Sequence, residues 1–268
     1  MLTAIGVIWT LVEASVFFLN LARPEGWKYI CAILLVAIIY GFSQARFFLS
    51  TELNIPGVKT KLRLAFSDVL LQEGVVVIPV NEFFDSEFNG VVSETSLHGI
   101  LIKRVLKNDS NYFDKEVAGS ISSDLFEQVN RVAIKKEKYK IGTTAVVKHG
   151  RTTFLLVALS RTDPKTHKAS AGLTELWTAL NSVMERARGL SNGSPVNLPL
   201  IGGGLSNVGV THWTLLDIIT IAIMSETKKQ EIAEHINIFI DWGRFNEIDL
   251  RHYSSTWRKR WRIGTEHM

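Results

Sequence analysis

Three adjacent glycines, Gly202, Gly203 and Gly204, lie in the segment Pro199-Leu200-Ile201-Gly202-Gly203-Gly204-Leu205-Ser206-Asn207-Val208-Gly209, between an apolar run and a helix expected to begin near Thr211. Backbone without a Cβ lets successive N–H groups approach an anion closely, and a helix N-terminus adds partial positive charge. Phosphate is the expected guest. A dinucleotide fingerprint is excluded, because Asn207 stands at its third glycine position. A P-loop is excluded as well: Gly204 and Gly209 have its spacing, but Val210 replaces the lysine that phosphoryl transfer needs. The chemistry left is a grip on a diphosphate, with Gly202, Gly203, Gly204, Leu205, Ser206 and Asn207 as candidate contacts.

A second segment, Asn81-Glu82-Phe83-Phe84-Asp85, follows an apolar run ending at Val80 and leads through Asn89, Gly90 and Ser93 to Ser96, Leu97, His98 and Gly99. In open α/β sheets ligands bind at the carboxyl ends of strands, where this segment belongs. Asn81, Phe84 and Asp85 are the candidate contacts. Asn81 suits ribose hydroxyls. Asp85 suits the same task, or that of a base, or a turn or helix cap, and His98 reads as a satisfied helix residue. No catalytic set and no metal cluster emerges, and the lone cysteine, Cys31, excludes an intrachain disulfide and a thiol-based metal site.

The elements that position these residues follow from hydrophobic periodicity. Val75 to Val80, Thr153 to Leu159, Val196 to Ile201 and Ile236 to Ile240 are short continuous apolar runs, as in strands covered on both faces of a mostly parallel sheet. Lys61 to Phe66 and Thr143 to Val147 are weaker strands. Leu173, Leu176, Trp177, Leu180, Val183, Met184 and Ala187 recur at helical spacing with Gly189 as a stop, and put Trp177 and Met184 in the core. Further helices are expected after Thr211, over Glu94 to Leu106 and over Asp114 to Arg131. These elements make a three-layer α/β/α domain.

Ahead of it stand two apolar stretches. Leu2 to Leu21 carries one charge, Glu13, and Tyr29 to Ala45 carries none, so each with its flanks approaches the ~20 residues that span hydrocarbon. Arg23-Pro24-Glu25-Gly26 turns the chain between them. With no basic residue before Arg23 and no small-residue cleavage site, a retained anchor fits better than a signal peptide. The expected fold class is α/β, with an N-terminal two-helix transmembrane hairpin (1–49), a linker (50–59), the three-layer domain (60–250) and a basic C-terminal tail (251–268). Arg46, Lys59, Lys61 and Arg63 outweigh Arg23 and Lys28, which favours a multi-pass protein of the inner membrane with its main domain cytoplasmic. A mid-span acid faces a bundle interior, a partner or water, which marks Glu13 as a residue of a membrane effector. Two helices enclose no pore alone, so any lesion requires a homo-oligomer. The net charge of +4 is modest, and the tail holding Arg251, Arg258, Lys259, Arg260 and Arg262 reads as a solvated terminus, a lipid contact or, least of all, a nucleic-acid contact.

With these residues in place, the 60–250 region resembles a macro domain, the ADP-ribose-binding fold. Macro domains carry an Asp after the first strand, an apolar strand into an Asn-rich loop, and a second phosphate loop reading approximately P-A-I-S-T-G-I-Y-G. Asp68, Val75 to Val80 with Asn81, and Pro199 to Asn207 match these features. The resemblance implies that Asp68 meets the adenine amino group, Asn81 the distal ribose and Gly202 to Ser206 the diphosphate. The glycine run of hydrolytic members is reduced to Asn89 and Gly90, and of their doubled Asn only Asn81 remains, so a binder rather than an enzyme is expected. Together with the hairpin, VNEFFDSEF and SLHG are similar to the membrane-anchored, macro-domain type of the ThsA effector family of Thoeris antiphage defence systems. That resemblance implies a partner TIR-domain enzyme making an ADP-ribose-derived messenger, histidine-ADP-ribose in this subtype, and no other cofactor. It also implies messenger-driven oligomerisation, membrane disruption and abortive infection. A tethered ADP-ribosyl hydrolase and a passive ADP-ribose-reading adaptor are the alternatives.

Overall fold

The computed structural model describes residues 6, 9–10, 13–14, 17–18, 26–121, 126–204 and 208–265, with side chains at all of them except 28, 29, 32, 43–48 and 260–265. The chain divides into two compact units, Met1–Thr51 and Glu52–Met268. In the first, helix α1 (Gly26–Leu49) has 24 residues. Trp27, Ile30, Leu34, Leu35, Ile38, Ile39 and Phe42 are exposed along it. Most of the first expected span and nearly all of the expected turn lie outside the described residues; Glu13 is described, helical and half-buried. Among the described residues no helix is long and apolar enough to cross a membrane.

The second unit is built on one sheet. Its strands are β1 (Ser50–Asn54), β2 (Lys61–Phe66), β3 (Gly74–Asn81), β6 (Thr144–His149), β7 (Thr152–Thr162), β8 (Ala169–Ser170), β9 (Val196–Pro199) and β10 (His235–Ile240), while β4 (Phe126–Gln128) and β5 (Glu137–Tyr139) form a separate antiparallel pair. The order is β1-β2-β10-β9-β3-β7-β6, with β8 on β7. Pairs β2–β10, β10–β9, β9–β3 and β3–β7 are parallel, whereas β6 and β8 run antiparallel to β7.

Alternation along β3 shows why its run is apolar throughout. Val75 and Val77 join one core with α4 (Leu173–Leu190), α5 (His212–Lys229) and α6 (Leu250–Thr265), through residues such as Leu180, Ile219 and Tyr253. Val76 and Ile78 join the other with Ile102, Phe113 and Val117, from a short helix α2 (Leu97–Ile100), its π-helical continuation Leu101–Val105, and α3 (Ser110–Ser120). Successive side chains of a strand point to opposite faces, so a strand covered on both faces needs apolar residues at every position. The three-layer α/β/α domain is thus as expected. A polar pin sits inside it: Asn197 of β9 and Asn237 of β10 are register partners, the Asn237 Nδ2 donates to Asn197 Oδ1 at 2.7 Å, and Asn197 Nδ2 donates to the Glu73 carbonyl at 2.8 Å.

Several expectations are corrected. Trp177 is not core: it is 42% exposed, while Met184 is fully buried. The inward stripe of α4 is Leu176, Leu180, Val183, Met184 and Ala187, and Leu173 and Trp177 fall on its flank. Gly189 lies inside the last turn rather than stopping it. The helix expected over Asp114 to Arg131 starts earlier, because Asp109 caps it by accepting the Tyr112 N–H at 2.9 Å, and it ends at Ser120. Arg131 lies instead in the connection between β4 and β5. The Glu94 to Leu106 helix begins only at Leu97, where the Ser96 hydroxyl accepts the Gly99 N–H at 3.0 Å. Part of the expected linker is strand β1, and Leu53 and Ile55 are buried in the core.

Candidate functional site

Two cavities lie side by side at the carboxyl ends of the parallel strands, and Pro79 and Ser96 border both. Their volumes, about 540 and about 590 Å³, are within the ~300–1,000 Å³ typical of small-molecule sites.

The first cavity brings together the Asp68 and Gly202–Gly204 segments that the sequence singled out. Asp68 follows β2 and caps the short 3-10 turn Val69–Leu71, its Oδ1 accepting the Leu70 N–H at 2.9 Å. Its Oδ2 is 3.5 Å from Arg104 Nη1, a loose surface pair that leaves the carboxylate one-third exposed. The three glycines are not equivalent. Gly202 has φ +88°, and a Cβ there would lie 2.7 Å from Val208 Cγ2, so both backbone and packing require glycine. A Cβ on Gly203 would stand 3.0 Å from His212 Cδ2 and 3.3 Å from the Leu200 carbonyl oxygen, whereas one on Gly204 would meet nothing within 4 Å. Leu205, Ser206 and Asn207 lie outside the described residues.

The lining of this cavity also carries groups the sequence reading missed. His212 opens α5, whose N-cap Thr211 accepts the Thr214 N–H at 3.2 Å. Its Nδ1 donates to Glu247 Oε2 at 2.5 Å, and its Nε2 lies 3.4 Å from the Gly203 carbonyl oxygen. Arg244, after β10, donates through Nη1 to Glu247 Oε1 at 2.9 Å. Arg244 first, then His212, hold the Glu247 carboxyl below its ordinary range. The arrangement sets a guanidinium and an imidazole at the mouth of a glycine-walled cavity, where an oxyanion is favoured. An Asp-x-x-Arg pattern just after the last strand, Asp241 to Arg244, was the available signal.

The second cavity is bordered by Asn81, residues 90–94, His98, Ser160, His167 and Lys168. His98 is 5% exposed, stacks near Phe113 at 5.3 Å between ring centroids, and its Nε2 has no hydrogen-bond partner. Burial, and after it the Lys135 ammonium, push its imidazole from 6.5 down to about 3, so it is neutral at physiological pH. The expected satisfied histidine therefore keeps an unsatisfied nitrogen. His167 sits at φ +56° with Nδ1 also unpartnered. Its loop is shaped by Asp163, whose Oδ1 accepts the Lys165 N–H at 2.9 Å and the Thr166 N–H at 2.7 Å; these backbone donors hold that carboxyl below its usual range.

Asn81 reaches this cavity with its amide largely committed. Its Oδ1 accepts the N–H groups of Phe83 and Asp85, both at 3.2 Å, and its Nδ2 donates to Asp85 Oδ2 at 2.8 Å. Asp85 in turn receives Arg131 Nη1 and Nη2, each at 3.0 Å from Oδ2, and neither side chain is more than 1% exposed. The Arg131 guanidinium also lies 3.9 Å over the Phe83 ring. Phe84, at φ +49°, is buried against Tyr139. Phe84 and Asp85 border neither cavity. Their place in the molecule is beneath the site, as the frame of the turn that presents Asn81. Gly99 lets α2 pack closely on the loop that borders the second cavity, since a Cβ there would fall 2.2 Å from the Ser93 carbonyl oxygen. Glu13 belongs to the other unit.

This sheet order and cleft define a macrodomain fold. The chain is similar to three solved structures of the Oceanobacillus iheyensis macrodomain. One is a point mutant (TM-score 0.50, 12% identity, 79% of this chain and 98% of that one) and another a mutant with ADPR (TM-score 0.51, 11% identity, 79% and 99%). The third is the macrodomain with ADP (TM-score 0.51, 12% identity, 79% and 97%). Curated proteins give no match. Residues 62–241 match the family described as Thoeris protein ThsA, Macro domain, and the chain belongs to that family.

Proposed function

We propose that this protein is a Thoeris effector whose macro domain binds an ADP-ribose-derived messenger, histidine-ADP-ribose made by a partner TIR-domain enzyme. In this reading it senses the messenger without turning it over. The observation that carries it is the paired cleft. The glycine-walled cavity with Asp68 and Arg244 suits adenosine and diphosphate, and the adjoining cavity has room for the distal ribose and a further polar group. ADPR and ADP are the ligands of the two similar macrodomain complexes, which supports the ligand class. In the second cavity the unpartnered His98 and His167 nitrogens, with Lys168, offer hydrogen bonds beyond those an ADP-ribose uses. Asn81 spends three hydrogen bonds on its own turn, which leaves little of its amide to orient an attacking water and supports binding over hydrolysis.

Messenger binding then clusters full chains in the inner membrane through the apolar N-terminal unit, with Glu13 facing the interior of the assembly, and the lesion causes abortive infection. A ~100-fold preference of messenger for the clustered state would supply ~2.7 kcal/mol per site. Calorimetric titration of the full chain with histidine-ADP-ribose, ADP-ribose and NAD tests the ligand; histidine-ADP-ribose is expected to bind most tightly, and preference for NAD would defeat the reading. Dye-loaded liposomes test the effector step. Leakage should require messenger and residues 1–49, and Glu13→Gln should weaken it.

A further inference from the structure

We infer that the outer face of α6 is a docking surface for anionic lipid headgroups, pressed against the membrane next to the point where the N-terminal unit joins the domain. The inference rests on the membrane attachment proposed above. Helix α6 contains five basic and no acidic residues, against 30 basic and 26 acidic in the whole chain, so the remaining residues are net acidic by one and the basic excess is confined to this element. Its apolar side is already occupied. Leu250, Tyr253 and Trp257 are buried, Trp213 lies 5.5 Å from the Tyr253 ring, and the Tyr253 hydroxyl hydrogen-bonds Thr220 at 3.1 Å. The helix is therefore held in one rotation about its axis, with Arg258 and Lys259 exposed.

Acidic groups gather at its other end. Asp249 accepts the N–H groups of Arg251 and His252, at 2.9 and 3.1 Å, and Asp217 shares a small surface cavity with His252 and Thr256. Among the described residues Arg258 and Lys259 have no carboxylate partner, and Arg260 and Arg262 follow in the same helix. The second observation is position. Arg258 Nη2 donates to the Glu52 carbonyl at 3.5 Å, and Glu52 is the first residue of the domain, three residues after the apolar helix α1 ends. Cations beside an anionic surface each favour attachment by roughly fivefold, and the attraction fades beyond a Debye length.

The test uses the full chain carrying Cys31→Ser and Ser255→Cys, labelled at position 255, in vesicles whose headgroups bear an energy acceptor. Transfer should rise severalfold when neutral phosphatidylcholine is replaced by a mixture with phosphatidylglycerol, and should fall back at high salt. It should fall equally when Arg258, Lys259, Arg260 and Arg262 are changed to Gln, and recover with Lys at the three Arg positions. Transfer indifferent to lipid charge and salt would overturn the inference. So would tighter salt-sensitive binding of a single-stranded oligonucleotide than of anionic vesicles, which would make the face a nucleic-acid surface. Flotation on neutral vesicles reads the anchor separately. A chain that fails to float on them defeats the anchor but not this surface, which would then show as salt-sensitive recruitment to anionic vesicles alone.

Discussion

The turn after β3 and the turn after β9 both reach the cleft, and they are built in opposite ways. From Asn81 to Asp85 nearly every polar group is committed within the protein, through the Asn81 amide, the buried Asp85–Arg131 pair and the Phe84 residue held at positive φ. From Gly202 to Gly204 there is no side chain, and among the described residues the cavity they wall also holds Arg244 and His212, which are joined through Glu247. One turn is rigid because its hydrogen bonds are spent; the other is receptive because its backbone is bare. A site of this kind recognises a ligand mainly with the second and aligns it with the first.

The largest effect should come from removing the frame. Arg131→Ala leaves a fully buried Asp85 carboxylate without its partner, and loss of about 3–5 kcal/mol is expected by chemical denaturation. A loss under ~1 kcal/mol would mean that water reaches the pair and that the turn is less rigid than drawn.

Next comes pH. The buried neutral His98 is protonated far more readily in the unfolded chain, so its contribution to stability is complete above about 6.5 and is lost as the pH falls towards about 3, at about 1.4 kcal/mol per pH unit. His98→Gln should flatten the acid limb of the stability profile. An unchanged slope would place His98 in contact with water in solution.

Gly203→Val should weaken ADP-ribose binding at least ~10-fold, about 1.4 kcal/mol, with little change in melting, because the new side chain meets the His212 ring at the cavity mouth rather than the core. Equal affinity in the folded variant would remove this turn from the site. The smallest effect is at Gly204, where a Cβ meets open space: Gly204→Ala should leave stability unchanged within ~0.5 kcal/mol, and a larger loss would contradict the openness of the second turn.

The sheet and the glycine turn were legible in the sequence because each has a one-dimensional signature: unbroken apolar runs for strands buried on both faces, and adjacent glycines between strand and helix. What was not legible depends on contacts far apart along the chain. Arg131 pairs with Asp85 across 46 positions and His212 with Glu247 across 35, and no local pattern marks either. Asp85 looked like a ligand contact because a carboxylate after a strand end is common to both roles; only its burial beneath Arg131 separates them. Trp177 misled for a simpler reason. A wide apolar stripe on a helix has edges, and spacing alone does not say which of its residues lie on one.

The amide pair joining Asn197 to Asn237 has a consequence for how the cleft is timed as well as placed. β9 ends in the glycine turn and β10 leads to Arg244, so the alignment of these two strands fixes where the backbone donors stand relative to the guanidinium. A slip of one residue would displace one wall by about 3.3 Å and turn a buried amide towards hydrocarbon without a partner. Misaligned pairing during folding therefore carries its own penalty, and the two walls come into their final spacing only when β9 and β10, whose paired asparagines are 40 positions apart, have zipped in register.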